Sequence, residues 1–223
     1  MNKLFLFAIL GILLTSCLTE QPRFVLVPPV EGDEPVAAVR AFVITDYKDK
    51  DLNQEIPEWA NRLFEGGVSA LETMEIFMDK YVFIARSEGN NFNALNLWAT
   101  VFNAELDFPR LAASRVNARF SAGVHFPDTE FGPLYEALIR SVSDARWTGI
   151  SKKDDFWIKR NFFAEGEIPE SEDWEFLILL TIEKSHFISQ LNSIFQNPRP
   201  SSLPTERQWQ AYNRVVDSFF DGF

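Results

Sequence analysis

The chain predicts an α+β domain, a small antiparallel sheet covered by several helices, with helices in the majority. Three observations carry this. Apolar periodicity switches between strand-like runs and helical stripes in the order strand, short helix, strand, long broken helix, helix, strand, strand, helix, helix. The last two strands are separated by a loop too short for a parallel crossover, so they pair antiparallel. The composition is that of a globule, 46% hydrophobic with 22 Phe and 6 Trp in 223 residues, enough for a sizeable core.

The N-terminus is a targeting segment. Lys3 precedes an apolar run of 11 residues, Leu4 to Leu14, followed by Leu14-Thr15-Ser16-Cys17. The run is well short of the roughly 18 residues that cross a hydrocarbon core, and small residues stand at its exit, as in a secretory signal peptide. The tetrapeptide looks like the lipobox of bacterial lipoproteins, with Cys17 as the lipidated residue. Cys17 is the one cysteine in the chain, which excludes an intramolecular disulfide and a cysteine-ligated zinc site. Cleavage before Cys17 leaves 207 of the 223 residues and, with Lys3 gone, a charge of −12 in place of −11. Each buried acyl methylene contributes about 0.8 kcal/mol, so two or three chains hold such a protein on a membrane unaided. The acidic balance argues against nucleic acid and anionic bilayers as partners.

The expected organisation is therefore a signal peptide over 1–16, a lipidated cysteine and tether over 17–35, and one globular domain over 36–223. Residues 18–35 hold four prolines and no helical period. Val36–Ile44 is β-branched and reads as the first strand, and Asp46–Asp51 as a solvated loop. Pro57 stands at the first turn of a short helix. Tyr81–Ala85 predicts a buried strand, bounded by the turn cluster Ser87–Asn91 that can cap the next element. Leu95, Trp98, Val101 and Phe102 share a helical face, and Pro109 predicts a break or kink. Beyond it Phe108, Ala112, Val116 and Phe120 recur every four residues, with Leu111, Arg115 and Arg119 on a neighbouring face. Phe131, Leu134, Tyr135, Leu138, Ile139 and Val142 mark an amphipathic helix. A turn at Gly149 leads to the strand Phe156–Phe163, an acidic loop from Glu165 to Asp173, and the apolar run Trp174–Ile182. That run suits a central strand or one covered on both faces. Phe187, Ile188, Leu191, Ile194 and Phe195 stripe a helix that ends before Asn197. The last helix opens on the capping box Thr205-Glu206-Arg207-Gln208 and buries Trp209, Tyr212, Val216 and Phe219. The helices are expected on one face of the sheet.

Pro57-Glu58-Trp59, the strand Tyr81–Gly89, the helix Leu111–Phe120, Ala145–Ile150, Asp155–Lys159 and the strand-helix Trp174–Phe187 follow one another in an order similar to the LPP20-like bacterial lipoproteins and their flagellar-assembly relatives. The resemblance spans roughly residues 56 to 195 and rests on loose structural motifs. Pro109 and the long spacing before Asp155 depart from the pattern. The resemblance implies a small domain without catalytic residues, often part of an envelope or motility-related assembly, and it transfers no active site.

Candidate chemistry is sparse. There is no phosphate-binding Gly loop, HExxH or GxSxG. His125 and His186 are the only histidines, 61 residues apart, and nothing near either completes a triad or a ligand set. Carboxylates cluster at Asp154 with Asp155, Glu165 with Glu167, and Glu170 with Glu172 and Asp173. A two-carboxylate glycosidase could be built from such a set, although a solvated acidic surface is the commoner use. Arg115 and Arg119, with Arg110 and Arg140 nearby, could clamp an anion, or pair with the surplus acids. Trp147, Phe156, Trp157, Phe162, Phe163 and Trp174 could form a stacking surface on an open face, or a core. Phe220 and Phe223 at the chain end have no clear core role and could dock on a partner. No catalytic residue, metal site or cofactor is predicted. The leading expectation is a non-catalytic lipoprotein scaffolding or contacting envelope proteins. The alternatives are a carboxylate-dependent cell-wall glycan hydrolase and a small-ligand or sugar-binding lipoprotein. Leu18 after the cysteine favours the outer membrane under the enteric sorting rule.

Overall fold

A computed structural model describes residues 24–25, 42–123, 132–163, 169–197 and 203–220. In chain order these form β1 (Phe24–Val25), β2 (Phe42–Tyr47), α1 (Glu58–Glu72), β3 (Lys80–Gly89), α2 (Phe92–Val101), α3 (Ala104–Gly123), α4 (Gly132–Ser143), β4 (Ser151–Phe163), β5 (Pro169–Glu183), α5 (Lys184–Phe195) and α6 (Glu206–Phe220). The predicted α+β class and element order hold, with α2 and α3 as the broken helix. Cys17, the expected leader, His125, Phe131, Glu165, Glu167 and Phe223 lie outside the described residues.

The apolar run from Trp174 lies inside the sheet, between β4 and the edge strand β3. β5 pairs antiparallel with β4, Leu177 opposite Phe156, and with β3, Leu177 opposite Arg86. β2 adds antiparallel to the free side of β4, and β1 pairs with β2 at Phe42 and Val43, giving the order β1-β2-β4-β5-β3. The first strand thus runs into the expected Asp46 loop, and Phe24–Val25 forms a strand within the expected tether. The sheet strand β5 likewise begins at Pro169, inside the expected acidic loop.

Helices cover both faces, not one. Phe176, Ile178, Leu180 and Ile182 of β5 join Tyr81, Phe83 and Ala85 of β3 under α2–α6. Leu177 and Leu179, with Val82, Phe156 and Ile158, face α1 through Trp59, Ala60, Leu63, Phe64 and Leu71. The cause is the period-2 geometry of β5: both of its side-chain sets are apolar over this stretch, so neither face can be left to water. The α1 helix is longer than expected, 15 residues, and is kinked where Gly67 adopts φ 68°.

The predicted break at Pro109 falls earlier. Asn103 accepts from the backbone N–H of Glu105 (2.9 Å) and Leu106 (3.3 Å), capping α3 just after α2 ends. Pro109 sits inside α3. The N–H it lacks would have served the carbonyl of Glu105, an exposed residue that water can reach. The stripe Phe108, Ala112, Val116 and Phe120 is fully buried. The predicted capping box is present: Thr205 N–H donates to Gln208 Oε1 (2.7 Å), and Gln208 N–H donates to Thr205 Oγ1 (3.3 Å).

Candidate functional site

The two arginines singled out on α3 are held by the fold. Arg115 makes a forked pair with Glu72, Nη1 to Oε1 at 2.7 Å and Nη2 to Oε2 at 2.9 Å, and lies 4.4 Å from the centre of the Tyr81 ring. Its Nη1 also donates to the Val82 carbonyl (3.2 Å), while Glu72 Oε1 accepts from the Val82 N–H (2.8 Å). β3 is the last strand of the sheet, so the pair blocks an outward-facing backbone N–H and C=O that would otherwise invite another strand. Arg119 donates from Nε (3.3 Å) and Nη2 (3.4 Å) to the carbonyl of Phe219, tying α3 to the C-terminal turn of α6. Arg110 and Arg140 are exposed on separate helices. The backbone of Phe220 closes α6, and its side chain lies outside the described ones.

The carboxylates are also engaged. Asp154 accepts from the Trp59 indole (Oδ2, 2.8 Å) and the Asp155 N–H (Oδ1, 2.8 Å). Asp155 bridges Lys48 (2.6 Å) and Lys152 (2.9 Å). Burial pushes its carboxyl up, but the hydrogen bonds and charges of the two lysines outweigh this and hold it below the ordinary aspartate value. Glu172 pairs with Lys159 (2.9 Å). Glu170 lies on β5, its side chain outside the described ones.

Asp173 belongs to a cluster that sequence reasoning missed. Arg160 donates to both Asp173 oxygens (Nε and Nη2, 2.8 Å each), to Glu88 (Nη2, 2.7 Å) and to Glu175 (Nη1, 2.9 Å). Arg86 donates to the second Glu175 oxygen (3.1 Å). The Arg160 and Glu175 side chains are only 10% and 5% exposed, and the guanidinium lies over the adjacent rings of Phe42 and Phe162. Burial lowers the Arg160 pKa, but the three carboxylates outweigh it and leave it raised. The signal was parity: Arg160 shares the inward side of β4 with Phe156 and Ile158, and Glu175 that of β5 with Leu177. Each guanidinium nitrogen donates to a carboxylate, so the cluster clamps β3, β4 and β5 together.

The remaining candidates are structural too. His186 Nε2 lies 3.0 Å from Thr148 Oγ1, beside Gly149. Trp147 and Phe156 are buried, while Trp157 and Trp174 are half-buried and meet Phe92 edge-on at 5.3 and 4.8 Å between centroids. Two surface grooves, about 720 and 510 Å³, run between α4 and α5 and between α5 and α6. The first is lined by Arg140, Asp144 and Arg146, the second by Trp209 and Tyr212, and neither joins a nucleophile to a base. Among the described residues no cluster of His, Cys, Asp and Glu could hold a metal ion.

Among the described residues Leu52, Ile76, Met78 and Leu203 are exposed singly or in a pair, and three more exposed apolar side chains gather where α2 meets α3. Asn91 Oδ1 accepts from the Ala94 N–H and caps α2, which buries Leu95 and Ala99. Leu97 and Val101, four residues apart on its outer side, are 61% and 65% exposed, and Leu106 at the start of α3 is 78% exposed. The half-buried Trp98 and Phe102 rings lie beside them, edge-on at 5.6 Å. This α2–α3 corner is suited to binding, not to chemistry.

Comparison of the chain with protein-family models, curated proteins and solved structures finds no match. The site must therefore be read from its own geometry. Among the described residues no helix is long and apolar enough to cross a membrane.

Proposed function

We propose that this chain is a bacterial lipoprotein, held in the cell envelope by acyl chains on Cys17, whose globule acts as a scaffold or interaction component without catalysis. The observation that carries the interaction role is a contrast. The described candidate carboxylates, with Arg115 and Arg119, hold the fold together, whereas Leu97, Val101 and Leu106 face solvent side by side at one corner. The leader and Leu14-Thr15-Ser16-Cys17 supply the address, and the outer membrane is favoured by Leu18. The order of motifs similar to LPP20-like lipoproteins fits the same role.

A carboxylate hydrolase would need two carboxyls facing one cleft. Asp154, Asp155, Glu172 and Asp173 instead face Trp59, Lys48 with Lys152, Lys159 and Arg160, which is why the interaction role is preferred. Detergent phase separation of cells expressing the chain tests the proposal. The wild type should enter the detergent phase and Cys17→Ser the aqueous phase. Equal partition of the two would overturn it.

A further inference from the structure

We infer that the α2–α3 corner rests on the surface of the bilayer that holds the Cys17 acyl chains, so that the globule lies against the membrane instead of hanging away from it. The inference rests on the anchoring proposed above and names what the exposed corner touches.

Charge is the first support. From Gly89 to Ala104 the chain carries no ionisable side chain, although 24% of all residues are charged and the net charge is −11. Elsewhere the acidic surface keeps its hydration and is repelled by anionic lipid. This stretch presents the exposed Leu97 and Val101 with no charge of its own to desolvate, and Glu105 and Asp107 stand at its rim on either side of Leu106, on the first turn of α3. A second copy of the chain would bring the same acidic surface against itself. A zwitterionic bilayer brings no such penalty.

The second support is the kind of residue presented. Leu97 and Val101 project from one side of α2, Leu106 follows at the corner, and the Trp98 and Phe102 rings flank them. Aliphatic side chains beside a tryptophan suit the boundary between headgroups and acyl chains, where an aromatic ring has an apolar body and a polar edge.

The length of the connecting chain is the third. Cys17 and Phe24, whose strand β1 pairs with β2, are 7 residues apart, which bounds the separation of anchor and sheet at about 23–25 Å. Confinement to so thin a layer gives the corner an effective concentration of order millimolar toward the membrane. A patch too small to bind lipid from free solution is then occupied.

The test uses the full acylated protein in phosphatidylcholine vesicles. Acylation blocks the only native thiol, so Leu97→Cys accepts a single environment-sensitive fluorophore, and Ser69→Cys on the exposed side of α1, across the sheet, serves as the comparison. The label at 97 should shift to shorter wavelength and lose about half its intensity when the acyl chains carry bromine, while the label at 69 does neither. Adding Val101→Asp should abolish the response at 97. Should that variant lose its fold, Leu106→Asp gives the same readout from the next turn. Equal responses at both positions, or none at 97 in vesicle-bound protein, would overturn the inference and leave the anchoring proposal intact. A blue shift without bromine quenching would also overturn it, by showing that protein covers the corner. Recovery outside the vesicles with an unmodified Cys17 thiol would remove the anchoring proposal, and the inference with it.

Discussion

Arg160 is the residue on which three strands converge. Its partner Glu175 is almost wholly removed from water and shares its remaining oxygen with Arg86. A buried pair adds little net stability when intact, because desolvation offsets the attraction, but breaking it strands a charge. Arg160→Ala should therefore cost about 3 kcal/mol in urea unfolding at neutral pH. A loss below about 1 kcal/mol would mean that Arg86 alone suffices for Glu175. At the acid end, the folded protein holds the Asp155 carboxyl below its ordinary pKa. Stability from this group is present above the unfolded pKa, about 4, and is lost as pH falls through the lower folded value. Asp155→Asn should flatten the acid limb of the stability curve and leave its neutral plateau shape unchanged. An acid limb identical to wild type would contradict this. These roles were only half legible in sequence. Pairing of Arg115 with an acid, here Glu72, was readable from charge balance, whereas the bonds of Arg119 to the Phe219 carbonyl were not. Arg160 was not, because a charge in a strand reads as solvated until its parity with Phe156 and Ile158 is weighed.

At the scale of elements, local chemistry decides where the chain turns. Pro109 draws attention as a breaker, yet Asn103 makes the break, since a cap that satisfies two N–H groups outweighs one missing donor near a helix start. The turn at Gly149 was readable and its tightness was not. It has φ 76°, and a Cβ there would stand 2.6 Å from His186 Cδ2. Gly149→Ala should cost about 1–2 kcal/mol through the left-handed backbone alone, with further loss from displacing the His186 ring. A thermal midpoint equal to wild type would contradict the geometry. The Glu72–Arg115 pair shows why an edge contact escapes sequence analysis: its members are 43 residues apart, and the backbone they cover belongs to a third element.

In the molecule as a whole, β5 joins two cores. Leu177 belongs to the α1 side and Ile178 to the side of the five other helices, and both are fully buried. Their truncation to Ala should cost about 3 kcal/mol each, within one cooperative transition, because both layers share the strand. Separate transitions for the two variants would show that the α1 layer melts alone. The apolar run of β5 suited either a central strand or one covered on both faces. The expectation of helices on one face missed α1, because which helix supplies the second cover depends on chain path and not on periodicity. The proposed leader, by contrast, is read from sequence alone, and the proposed location of the globule depends on it. Mass spectrometry of the N-terminal peptide of the native protein tests this most directly. The account predicts a peptide that begins at Cys17 and carries acyl chains. An intact leader, or a free thiol at that position, would contradict it.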